Sequence, residues 1–206
     1  MIQLCYIFTK QGVRKLYHIP NDARAQRSAE RIYESLMTFQ NACAFSDISV
    51  TQIAACAGVG RSTFYRLFDN SYDVLYWKSD EIMAGALHRA SGKNSFDDIF
   101  LTFIAEWMKH QSLLQALSRY SMTDILFQVH QNHIEEIGSY FFHDMKLSRI
   151  QMEYLSTTLA SMLSAGFSLW CHHPQTTPEE MLSSFRTALC HLNIMFGTED
   201  QLRNSR

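Results

Sequence analysis

The 206-residue chain is long enough for one large domain or for a small one joined to a larger one, and nearly half of it is apolar, so a packed core is within reach. Three prolines, eight glycines and a scarcity of alternating strand patterns argue for an all-α protein. No apolar run reaches the roughly 18–20 residues that span a bilayer, and five scattered cysteines without a CxxC pair argue against a zinc or disulfide frame and for a reducing, cytoplasmic setting.

The net charge of −2 hides an asymmetry. Up to Asn70 the bases Lys10, Arg14, Lys15, Arg24, Arg27, Arg31, Arg61 and Arg66 outnumber the acids, whereas the remainder is net acidic. A basic head on an acidic body suits a protein that touches a polyanion with one end.

Residues 1–23 read as an N-terminal extension. Met1–Phe8 is apolar but lacks a basic leader and a small-residue cleavage site, so a signal peptide is not expected. The first helix is predicted over Ala25–Cys43, with Ile32, Leu36, Phe39 and Cys43 on its inner face. Ser49, with Gln52 three residues on, forms a capping-box pattern at the start of a short helix that Gly58 ends. A second short helix covers Arg61–Phe68. Asn70 with Asp73 caps a long helix that continues to about Ala90, so that 24–90 makes a head with its connecting helix.

Ser91–Asn94 is predicted as a loop, and 91–206 as the body. Ser95 and Asp98 are placed at the cap of the next helix, followed by helices over Gln111–Tyr120, Met122–Lys146 and Ser148–Cys171. Thr177-Pro178-Glu179-Glu180 opens the last one, with an N-cap, a proline in the first position and a glutamate in the third. The sum is about nine helices.

Two short helices joined by Ala57-Gly58-Val59-Gly60 carry the signature of a helix-turn-helix. Small Ala54 and Ala57 permit close approach, and Val59 plugs the gap. In the second helix Phe64, Leu67 and Phe68 point inward. Arg61, Ser62, Thr63, Tyr65 and Arg66 remain outside, a set rich in groups that contact phosphate and base edges.

On these residues the segment ISVTQIAACAGVGRSTFYRLFDNSYDVL resembles the DNA-binding domain of the TetR (AcrR-like) transcriptional regulators. The match runs through Ser49, Ile53-Ala54, Ala57-Gly58-Val59, Thr63-Phe64-Tyr65 and Phe68, within about Arg24–Leu87. Gly166, Trp170 and Pro178-Glu179-Glu180-Met181 look weakly like the firmicute-type branch. The resemblance implies that Arg61 and Ser62 reach bases. It further implies that Thr63 and Tyr65 contact phosphate with Arg66 beside them, that Ser49 and Thr51 face phosphate, and that Arg24 and Arg27 form a basic arm. The chain departs from the pattern at Ala44, Gly60 and Leu67, and at Ser71, where members commonly carry lysine; Asp69 and Asp73 flank that position.

In the body, Leu155, Leu159, Met162, Gly166 and Leu169 form one heptad-like stripe. Met181, Phe185, Ala188, Leu192 and Met195 form another. Phe167, Trp170, Leu189 and Ile194 lie off the stripes. A second buried face predicts a four-helix bundle between two subunits, with Leu159, Met162, Gly166, Trp170, Phe185, Leu189 and Leu192 at the homodimer interface. Phe103, Trp107, Phe127, His130 and His133 are candidates for lining a pocket for an apolar or aromatic effector, although each also fits plain core. His130, His133 and Glu136 have metal-compatible spacing, but core or effector contact is the stronger reading, and neither metal nor cofactor is expected.

The expected function is that of a DNA-binding transcriptional regulator, with repression as the common family mode. The alternative is a coactivator of the same fold acting through a protein partner. No GxSxG, P-loop, GxGxxG or HExxH pattern favours an enzyme.

Overall fold

The computed structural model describes residues 17–40, 42–93, 95–141 and 146–196. Most of the 1–23 extension and Met1–Phe8 therefore lie outside the described residues, as do the side chains of Ile194 and Met195. Among those described, ten α-helices and one 3-10 turn make an all-α fold. A single antiparallel bridge, Tyr17 to Phe68, is the one β feature reported for them.

Helix α1 spans Ala23–Thr38. It starts two residues ahead of the predicted position because the Asp22 carboxylate accepts from the amides of Arg24 and Ala25, at 3.0 and 2.8 Å. It also stops before Cys43. The Thr38 hydroxyl donates to the Ser35 carbonyl at 2.7 Å and competes with the helical ladder there. Ala25, Ala29, Ile32 and Leu36 form its buried face.

Helix α2, Val50–Cys56, begins with the predicted Ser49–Gln52 capping box, complete in both directions. Its end is a Schellman turn: Val59 N–H reaches Ala54 O at 2.9 Å, and Gly58 N–H reaches Ala55 O at 3.1 Å. Gly58 takes a φ of +61°, which a side chain would disfavour. Helix α3, Arg61–Leu67, follows and buries Phe64 and Leu67 against α1 and α2.

Helix α4 spans Ser71–Ala90, capped as predicted by the Asn70 side chain on the Asp73 amide. Apolar residues around much of its circumference are buried, from Val74 to Ala90. A helix apolar on so many sides must be central, and α4 indeed packs on α1, α5, α7 and α8. One continuous apolar core runs from Ala25 in α1 to Leu182 near the end of the chain.

The body comprises α5 (Phe96–Met108), α6 (Gln111–Arg119), α7 (Asp124–Asn132), α8 (Ile134–Phe141), α9 (Arg149–Trp170) and α10 (Pro178–Phe196). Ser95 occupies the cap of α5, but its side chain makes no capping bond. Ser148 and Gln151 cap α9 with a second capping box, and Thr177 with Glu180 caps α10. The helix predicted over Met122–Lys146 is instead divided, and residues 142–145 lie outside those described. The break falls at His133, the C-cap of α7, whose ring is hydrogen-bonded to Asp80 on α4.

No helix among the described residues is long and apolar enough to cross a membrane.

Candidate DNA-binding surface and its connection to the body

The outer faces of α1, the α2–α3 turn and α3 enclose a shallow concave basin of about 390 Å³. Arg24, Arg27, Ser28, Arg31, Thr63 and Arg66 line it around the backbone of Gly58–Gly60, and no carboxylate is among the lining residues. Arg24, Arg27 and Arg31 recur every three or four positions, so one face of α1 carries all three. None of these arginines, nor Arg61, is ion-paired among the described residues. Of the two acids on α1, Glu30 is drawn to Lys78 of α4 at 2.9 Å, and Glu34, exposed one turn from Arg31, forms no ion pair among the described residues. The basin is thus a strip of uncompensated guanidinium charge, suited to phosphate oxygens.

The residues predicted from α3 are displayed as expected. Arg61, Ser62, Tyr65 and Arg66 are exposed, Tyr65 by 54% despite its size, and Thr63 is half-buried. Ser49 and Thr51 are exposed at the start of α2, with the Ser49 hydroxyl already engaged with Gln52. Arg31 was not among the predicted contacts. Its spacing from Arg24 and Arg27 was the available signal, and its guanidinium lies over Gly58, in the space a Cβ there would need.

The predicted pocket residues divide. Phe103, Trp107 and His130 are fully buried against one another, with the Trp107 and His130 rings stacked at 6.3 Å. The His130 Nδ1 lies 2.5 Å from the Leu126 carbonyl, which fixes it as the protonated nitrogen; Nε2 has no hydrogen-bond partner. Burial pushes the imidazole down to about 4, so it is neutral at pH 7. Phe127 is half-buried. His133 instead faces α4: its Nε2 is 2.9 Å from Asp80 Oδ1, and its Nδ1 is 3.2 Å from Glu136 Oε2. The hydrogen bond to Asp80 raises its pKa, and Glu136 adds to the rise. The other oxygen of Asp80 accepts from the Tyr17 hydroxyl at 2.6 Å.

The predicted dimer residues also divide. Leu159 and Trp170 are buried within their own chain, where the Trp170 indole N–H donates to Thr176 O at 3.0 Å. Met162, Gly166 and Phe185 are half-buried, with the Phe185 ring seated directly on Gly166. Leu169, Leu189 and Leu192 are 62%, 47% and 45% exposed, leaving apolar surface on the last two helices uncovered in a single chain.

No protein-family model and no curated protein matches the chain. Solved structures do. Lin0861 from Listeria innocua superposes with a TM-score of 0.74 at 18% identity, over 86% of this chain and 99% of that one. A putative TetR-family transcriptional regulator from Syntrophomonas wolfei gives 0.64 at 16% identity, over 80% and 95% of the two chains. A TetR transcriptional regulator from Streptococcus agalactiae gives 0.57 at 18% identity, over 79% and 93%. The chain has the fold of the TetR-family transcriptional regulators, as its helix-turn-helix pattern indicates.

Proposed function

We propose that the chain is a one-component transcription regulator that binds operator DNA through α1–α3 as a homodimer and releases it, in the repressor mode, when the body binds a small apolar or aromatic effector. The observation that carries this reading is the unpaired arginine basin beside the exposed face of α3. Exposed Leu169, Leu189 and Leu192 support a dimer through α9 and α10, which two half-sites about 34–36 Å apart require. The long α4, buried against α1 on one side and the body on the other, supports a mechanical link between effector and DNA.

The test is fluorescence anisotropy of the purified protein on the DNA upstream of its own gene, across a salt series. Selective binding that weakens steeply with salt and is lost in Arg61→Ala and Tyr65→Ala supports the reading. Binding indifferent to sequence and to both substitutions overturns it. The second reading, a coactivator that meets a protein partner instead of DNA, is favoured by one place only. Ser71 stands where the TetR pattern commonly has lysine, between exposed Asp69 and buried Asp73.

A further inference from the structure

We propose that the cleft between the α1–α2 connection and the α6–α7 turn is a ligand site for a small aromatic carboxylate, held between head and body. On the head side the chain passes through the 3-10 turn Phe45–Asp47 on its way to α2. On the body side α6 ends at Tyr120, whose N–H reaches Ala116 O at 2.9 Å, and Met122 N–H closes on Leu117 O at 2.8 Å. That closure holds Ser121 at a φ of +56°, the one positive value at a residue other than glycine among those described. Residues of both turns line one open cleft of about 630 Å³, within the range of small-molecule sites. Phe45 and Met122 give it apolar walls, and both pack on the main core. Arg119, Ser46 and Ser121 add polar side chains to the lining.

Tyr120 joins the two sides. Its ring stands 5.1 Å from that of Phe45, tilted by 54°, a contact between body and head. Its hydroxyl is buried and has no hydrogen-bond partner, a costly state for a polar group. The Cys43 thiol and the Arg119 guanidinium, both in the cleft lining, lie close enough to act on that hydroxyl, which places it beside the cleft. Burial raises its pKa, so it stays a phenol at neutral pH and has a proton to donate. As a residue Tyr120 is only partly buried, so a small turn of its ring presents the donor to a ligand oxygen.

Ligand classes meet this lining differently. A neutral aromatic gains the apolar walls and at most the Tyr120 hydrogen bond. An aromatic cation gains the walls but meets Arg119 as a like charge, whatever other contact that side chain keeps. An aromatic carboxylate gains the walls, the Arg119 charge and the Tyr120 donor together. Such an occupant touches the head through Phe45 and Ser46 and the body through Tyr120 and Met122. It therefore ties the two at the α1–α6 contact, away from α4 and from the interior of the body. Any effect on operator affinity rests on the proposed DNA-binding function; the site itself does not.

The experiment titrates the full chain into 1-naphthoate and follows its fluorescence anisotropy with no DNA present. The counter-probe is 1-naphthylmethylammonium, a cation on the same ring system. Tyr120→Phe and Arg119→Gln remove the two groups that hold the carboxylate, and Ser46→Trp fills the cleft from an exposed position. The expected result is saturable naphthoate binding, weakened about tenfold by Tyr120→Phe and by Arg119→Gln and abolished by Ser46→Trp, with the cation bound about tenfold more weakly or not at all. Thermal melts without ligand are the control. Because the Tyr120 hydroxyl bonds to nothing in the free chain, Tyr120→Phe should melt no lower than the wild type. A lower melt gives the hydroxyl a structural role and overturns the proposal. So does naphthoate that fails to bind, that keeps its affinity in any of the three variants, or that the cation matches. A second titration, on preformed protein–DNA complex, separates the two readings. If the chain binds no DNA, the regulator function fails and the naphthoate result stands. If it binds DNA, naphthoate should change the operator affinity of the wild type about fivefold or more and leave that of Tyr120→Phe as it was; an unchanged wild type removes the tie between head and body.

Discussion

The imidazole of His133 stands 2.9 Å from a carboxylate oxygen of Asp80, joining the break between α7 and α8 to the helix that carries the head. Its other nitrogen faces Glu136, His130 lies near enough to repel it, and Tyr17 donates to the other oxygen of Asp80. The hydrogen bond to Asp80 raises the folded pKa of His133 above its ordinary value near 6.5. For a base raised on folding, the native state holds the proton more tightly. The contribution is therefore complete below the unfolded pKa and is lost as pH climbs through the folded one. Urea unfolding of the wild type and His133→Gln should show a stability difference that is largest near pH 6 and shrinks toward pH 8.5. A difference constant across that range would remove the charged His133–Asp80 pair as its source.

His130 works in the opposite direction. It is fully buried, neutral, and depressed to about 4. Between pH 6.5 and 4 the unfolded chain takes up a proton that the native core excludes, so stability falls as pH falls. The shift corresponds to an effect on the order of 3 kcal/mol across that window. His130→Phe keeps a ring beside Phe103 and Trp107 and removes the titrating nitrogens. Its stability should fall less steeply from pH 6.5 to 4 than that of the wild type, measured by chemical denaturation at each pH. Parallel profiles would place the acid sensitivity elsewhere, with the paired carboxylates as the next source.

The helix-turn-helix was legible because its determinants are local. Ser49 and Gln52 cap each other three residues apart, Gly58 supplies the left-handed turn, and Phe64 and Leu67 share one face of α3, with Phe68 buried in the extended residue that ends it. The break at His133 was not legible, since its partner Asp80 lies 53 residues away in sequence. A period-3.6 pattern simply ran through it. The stripes on α9 and α10 were visible but ambiguous. Leu159 and Trp170 are covered by their own chain while Leu169, Leu189 and Leu192 are not, and apolar side chains look alike in sequence whichever surface buries them. Phe103, Trp107 and His130 were equally open between pocket and core, and here they close on one another.

At Gly166 the Phe185 side chain of α10 reaches the backbone of α9. The edge of the Phe185 ring occupies the place of the glycine's missing Cβ, and Phe100 holds that ring from the other side, edge-on at 5.9 Å. Gly166→Ala would gain up to about 1 kcal/mol in helix propensity but must force the ring out, an overpacking cost of about 1–3 kcal/mol. The expected net result is destabilisation. Phe185→Leu withdraws the ring, so the double variant should be more stable than the sum of the two single losses predicts, with a coupling of about 0.5–3 kcal/mol. Additive losses in urea unfolding would mean that Gly166 and Phe185 do not share that space.

Arg31 offers a sharper test of the DNA-binding surface than the α3 residues do. It is exposed, unpaired among the described residues, and its guanidinium lies over the Gly58 turn beside Arg27 and Arg66. Nothing in the core depends on it, so Arg31→Ala should leave the melting temperature in place. Arg31 lies in the arginine basin, away from the outward face of α3; on the proposed reading it would meet phosphate rather than base edges, so its loss should weaken all DNA sequences alike. The slope of log affinity against log salt should become shallower by about one. Arg61→Ala, at the start of α3, should instead flatten the preference among sequences. If Arg31→Ala leaves the slope unchanged while Arg61→Ala changes selectivity, the DNA backbone does not cross the α1 basin, and the phosphate contacts must lie on the α2 side, at Ser49 and Thr51.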